Sequence, residues 1–146
     1  MMTAEHENYV YYQECLSSLN AAWRIIDTLQ SSNANKTLAS ASFRMALIEY
    51  AKPYKLSQGV HKKIHKLPIP DLSEEDKLLH ARIIVLRDTV LAHSDIRVKD
   101  AKVYVGKIGD RALPLIVSNT FTLFPSLADV RGLVERSLDR LYEEFP

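Results

Sequence analysis

Apolar residues near the start of the chain recur at alternating steps of three and four: Tyr9, Tyr12, Leu16, Leu19, Trp23 and Ile26. That spacing is one stripe of a helix and predicts a helix from about Glu5 to Gln30, roughly 39 Å long. Val10, Ala22, Ile25 and Leu29 widen its apolar face, so it should pack against more than one neighbour. Ser31-Ser32-Asn33 reads as a stop, with Asn33 or Asn35 available as the next N-cap. A second helix follows from about Lys36 to Ala51, carrying Ala39, Phe43, Ala46, Leu47 and Tyr50 on one side. Pro53 ends it, because proline lacks the donor a helix interior needs and pushes its predecessor out of the α region.

Ser57 could cap a short helix in which Val60, Ile64 and Leu67 share a face, closed by Pro68-Ile69-Pro70. Ser73-Glu74-Glu75-Asp76 resembles a capping box with Asp in the place usually held by Glu, and opens a third helix. There Leu79, Ile83, Leu86 and Val90 form a stripe whose next position is His93, while His80, Ile84, Arg87 and Leu91 lie beside it. The pattern then becomes extended. Residues 102–108 and 111–117 flank Gly109-Asp110, which suits a two-residue type II′ turn. Such a hairpin is marginal alone, so it should lie against the helices or a second subunit. Ser126 with Asp129 starts a last helix whose face carries Leu127, Val130, Val134, Leu138, Leu141 and Phe145. The fold expected is an all-α bundle of four long helices with one β-hairpin between the third and last helices, a single domain over residues 1–146.

The chain has 146 residues, enough for one well-filled core, and a net charge of +1, which gives no global attraction to nucleic acid. Cys15 is the single cysteine, so no intrachain disulfide can form. The absence of a long apolar run or a leader-like start leads us to expect a cytoplasmic protein that does not enter a membrane. Charge becomes informative locally. Lys52, Lys55, Lys62, Lys63 and Lys66, with His61 and His65, fall in a stretch without an acidic residue. They read either as a surface for the RNA phosphate backbone or as a solvated loop. His61 and His65 have metal-ligand spacing, but the lysines beside them would repel a cation, so neither a metal nor another cofactor is expected. Tyr9, Tyr11, Tyr12 and Trp23 have the spacing of core or dimer packing more than of a base-stacking platform.

The segment Arg87-Asp88-Thr89-Val90-Leu91-Ala92-His93, followed by Ser94-Asp95, puts polar groups where an apolar helix is ending. A guanidinium is a fixed fork for phosphate, and an imidazole exchanges a proton near neutral pH; together they suit phosphodiester cleavage without a metal. On an ideal helix the two lie about 9 Å apart along the axis and roughly 120° apart around it. They converge only through arginine's reach or a loosening of the last turn. A structural reading of the same residues has His93 bonded in the core and Arg87 paired with Asp88 or Glu49.

This segment resembles the HEPN superfamily, whose pattern is an arginine, four to six intervening residues and a histidine near a helix end. The polar residue after the arginine, Asp88, and the string around it look most like the abortive-infection branch. The resemblance implies a homodimer with two motifs facing across one cleft, and a metal-independent ribonuclease activity that uses the substrate's own 2′-hydroxyl. It would assign phosphate binding to Arg87, proton transfer to His93 and an orienting role to Asp88. It also implies a toxin–antitoxin or phage-defence setting. The alternative is a non-catalytic HEPN-like dimer that binds a nucleotide, or a nucleotidyltransferase or antitoxin partner.

Overall fold

The computed structural model describes residues 1–62, 64–91, 102–117 and 124–144. Helix α1, Ala4–Ser31, is capped by Thr3, whose hydroxyl accepts from the backbone N–H of His6. Asn35 caps α2, Lys36–Ala51, in the same way through the N–H of Leu38. Each cap satisfies a donor that the first turn would otherwise leave unpaired. Pro53 does not merely stop α2. It sits inside a 3₁₀ turn, Lys52–Tyr54, that carries the chain on from the helix end.

Helix α3, Glu74–Leu86, starts at Ser73, whose hydroxyl accepts from the N–H of Asp76 at 3.2 Å. The expected capping box is only half formed. Instead of turning back to its own helix, the buried Asp76 carboxylate binds Nε and Nη2 of Arg136 at 2.6 and 2.7 Å, joining α3 to the last helix. α3 then runs straight into a π-helical turn, Arg87–Leu91. Strands β1, Lys102–Ile108, and β2, Arg111–Val117, pair antiparallel, with Ile108 opposite Arg111 around the two-residue turn. Gly109 takes φ 61°, the left-handed region that a primed turn demands of its first central residue. Helix α4, Leu127–Glu144, ends the described chain. Phe145, expected on its apolar face, lies outside the described residues.

The long α1 is central and packs against both α2 and α4, as the width of its apolar face requires. Leu19, Ala22 and Ile26 are fully buried with Ala46, Leu47 and Tyr50 of α2, Ile83 of α3, and Val130, Leu133 and Val134 of α4. Burying each large aliphatic side chain contributes roughly 1.5–3 kcal/mol. The edge of the core is polar but bonded. The Trp23 ring N–H donates to Glu135 at 3.0 Å, and Tyr50 Oη hydrogen-bonds Nδ1 of the buried His80 at 2.8 Å. Burial, with a smaller push from Lys66, holds His80 below the ordinary histidine pKa. Trp23 and Tyr12 therefore serve packing within the chain, and Tyr9 stays exposed. Val103, Tyr104, Val105, Ile108 and Leu113 of the hairpin are also exposed. No helix among the described residues is long and apolar enough to cross a membrane.

Candidate functional site

The basic stretch after α2 is not a helix. Val60 and Ile64, expected on an inner face, are exposed, and the backbones of Ser57 and His65 pair across an antiparallel bridge at 2.8 and 2.7 Å. The cause lies far away in sequence. Glu7 in the first turns of α1 is buried and accepts from the backbone N–H groups of Val60, His61 and Lys62 at 3.0, 2.6 and 3.1 Å. It also accepts from His65 Nε2 at 2.6 Å. These bonds to the charged form, led by that of His61, hold the Glu7 carboxyl down at about 2. Four donors in one arc fold the loop around the carboxylate.

Gly59 is what lets the backbone come so close. A Cβ there would run into Glu7 Oε1 and approach Lys62 O to 2.5 Å and His65 Nε2 to 2.6 Å. Tyr11 completes the attachment: its ring stacks on His65 at 4.7 Å and its hydroxyl donates to Pro53 O at 2.9 Å. His65 is thus committed to Glu7, and His61 donates from Nε2 to Met2 O at 2.6 Å. The metal-ligand spacing of the two histidines is not a shared helical face.

So anchored, the loop presents Lys55 to the end of α3. Lys55 Nζ lies 2.7 Å from Asp88 Oδ2, and Arg87 Nη1 lies 2.9 Å from Asp88 Oδ1. One carboxylate therefore bridges two cations, an oxygen to each. Lys55, then Arg87, hold the Asp88 carboxyl below its ordinary range. All three side chains are about one-third exposed, at 33%, 34% and 38% for Lys55, Arg87 and Asp88. At that exposure the ion pairs add little to stability.

The backbone beneath them is unusual. The π turn bonds each N–H one residue further back than an α-helix does, and Thr89 Oγ1 donates to Val85 O at 2.7 Å within it. The helix is loosened here, and the described residues stop at Leu91, two residues short of His93. His93 itself lies outside the described residues, as does Lys63.

Arg87 and Lys55 line a cleft of about 510 Å³ between α1 and the loop, together with Lys52, Val10, Tyr11 and Leu56. Of the residues named from sequence, Arg87, Asp88, Lys52 and Lys55 therefore gather in one place, with Lys52 also paired to Glu49. Lys62 and Lys66 are exposed and point their charge elsewhere than into the cleft lining. The Arg87–Asp88 pair is the contact that the structural reading expected; its position at the rim of a cleft is not. Glu7 was missed. Two signals were available: a carboxylate on the same helical face as Tyr11 and Cys15, and a basic stretch with no counter-charge of its own. No family model, curated protein or solved structure matches this chain.

Proposed function

We propose that the protein is a metal-independent endoribonuclease of HEPN type, a dimeric toxin or phage-defence effector of the cytoplasm. The observation that carries this reading is Arg87 bonded to Asp88, both about one-third exposed on a π turn, with Arg87 lining a cleft alongside Lys52 and Lys55. π turns recur at functional sites, and small-molecule sites are concave. In this reading Arg87 holds the scissile phosphate and stabilises charge in the transition state. Asp88 orients Arg87 through the 2.9 Å bond. His93 moves the proton as the RNA 2′-hydroxyl attacks, leaving a 2′,3′-cyclic phosphate. Lys52 and Lys55 add positive potential at the site, Lys62 and Lys66 contact the RNA backbone outside the cleft, and Lys63 is a further backbone contact of the same basic stretch.

The exposed apolar side chains of the hairpin support a homodimer, because a two-stranded ribbon is marginal without a covering surface. They equally favour a second reading, a non-catalytic dimer that captures a nucleotidyltransferase or antitoxin partner. RNA cleavage in the presence of EDTA separates the two. The enzyme reading expects cleavage that survives the chelator, spares DNA, and is lost in both Arg87→Ala and His93→Ala at unchanged dimer mass. Chelator-sensitive cleavage, or stable partner binding with no cleavage, sinks it.

A further inference from the structure

We propose that a cavity at the opposite end of α1 from the Arg87 cleft is a separate binding site, which takes a small acid with a flat apolar body and holds its single carboxylate on Arg44. The cavity shares no lining residue with that cleft, and the proposal stands whether or not the protein cleaves RNA.

The cavity, of about 410 Å³, opens where three elements meet. Leu29 comes from the last turns of α1, Ser40, Phe43 and Arg44 from the first half of α2, and Leu127 from the start of α4, with Phe124 just before it. Ala39 and Ser40 also line it, with side chains too small to fill the gap. Its volume lies within the range of small-molecule sites, and its walls are mostly aliphatic and aromatic. Phe43, Phe124 and Leu127 pack against the core as well, so they are held in position before a ligand arrives and little side-chain freedom is lost on binding. Two phenyl rings in the wall favour a flat ring over a flexible chain, because a ring gains stacked or edge-on contacts and has no internal rotations to lose.

Charge decides the other end of the ligand. Arg44 is the one charged residue in the described lining. Arg87, Arg131, Arg136 and Arg140 each have a carboxylate partner within the chain. Arg44 has none among the described residues; its guanidinium carbon instead lies 5.3 Å from the centroid of the Phe124 ring. A ring attracts the charge without using up the five N–H donors, so a fork remains for an oxyanion. One planar fork fits one carboxylate, whereas a phosphate dianion would keep a charge uncompensated. Because Arg44 rests against Phe124, the cation adjoins the aromatic wall, which asks for a carboxylate attached directly to the ring system.

The test measures binding of 2-naphthoate, its uncharged amide 2-naphthamide, and acetate to the full chain by calorimetry. The naphthoate should bind at least about fivefold more tightly than the amide, and acetate should not be detected at the same concentrations. Arg44→Gln should remove the preference for the acid and leave the affinity for the amide where it was. Ser40→Phe should fill the cavity and weaken both by at least about tenfold. Both positions are exposed, so the melting temperature should hold in each variant. Equal affinities for acid and amide in the parent, or binding of neither, overturns the proposal. Naphthoate binding that ignores Ser40→Phe overturns it too, since the ligand then sits elsewhere on the molecule.

Discussion

At the start of α3, the buried Asp76 gives both carboxylate oxygens to one arginine, Arg136, whose own side chain is 54% exposed. Just past its end, Asp88 divides its oxygens between Arg87 and Lys55, in a cluster about one-third exposed on a π turn. The residue types are the same and the consequences differ. At the first end the carboxylate is saturated and ties two helices together. At the second it neutralises two cations that still face a cleft. Burial of the carboxylate and division of its partners, more than the presence of an acid–arginine pair, distinguish the two ends.

Removing each arginine in turn should separate the two ends of α3. On the proposed ribonuclease reading, Arg87→Ala should lower RNA cleavage by at least roughly 10²-fold with little change in melting temperature, since Arg87 would contact the transition state and otherwise makes only a partly exposed ion pair. Arg136→Ala should do the reverse. It leaves the buried Asp76 carboxylate unpaired, at a cost of about 1–3 kcal/mol, and leaves cleavage by the surviving folded protein within about twofold of the parent. Parallel thermal melts and cleavage assays on the two variants would collapse the distinction if both effects fell on the same protein.

Gly59→Ala attacks the second end indirectly. The added methyl cannot fit against Glu7 and His65, so the loop must lift or strain, at a cost of about 1–3 kcal/mol. Lys55 should then lose its position beside Asp88. On the ribonuclease reading cleavage should fall several-fold, melting temperature should drop in keeping with that cost, and faster proteolytic nicking between residues 55 and 66 would report the lifted loop.

Helix and hairpin positions were legible in the sequence because they are local. The stripe of α1, the Asn35 cap of α2 and the Gly109 turn all depend on residues within a few positions of one another. The 57–67 segment was not legible for the opposite reason. Its own spacing suits a helix, yet Glu7 supplies three backbone N–H groups with an acceptor, which outweighs the weak helical preference of so short a piece. Arg87 and Asp88 could be singled out from the motif alone. That Lys55 would bridge to Asp88 from 33 residues away could not, because nothing local encodes the fold of the intervening loop.

Acid should separate two buried groups by their order of failure. The folded pKa of His80 lies below its ordinary 6.5, so stability it contributes is complete above that value and begins to fall as pH drops past it. Glu7, held at about 2 from an ordinary 4.5, contributes stability above 4.5 that drains away between there and about 2. A denaturation series across pH should therefore show a first decline starting near 6.5, absent in His80→Gln, and a second below 4.5, absent in Glu7→Gln. The smallest effect is expected from the lysines outside the cleft. Lys62→Ala with Lys66→Ala should reduce the slope of log affinity against log salt by about 1.4 for single-stranded RNA, with the intact-site cleavage rate unchanged. An unaltered slope in filter binding would make them solvent-facing charges only.

The carboxylate of Glu7 meets the amide of Val60 across 53 residues of chain, and that separation bears on when the loop can form. Each helix needs only its own neighbours to nucleate, and the α1–α2 pair is joined by a short turn. The clasp must wait until that pair has docked, because only then is the far end of α2 brought back alongside the first turns of α1. Assembly of the bundle should consequently run ahead of assembly of the cleft. In pulse-labelling during refolding, the amides of Val60, His61 and Lys62 should gain protection from exchange after those of Leu19 and Leu47. A nascent chain would then hold a folded core before it holds the cleft, and the interval between them is set by the closing of one loop.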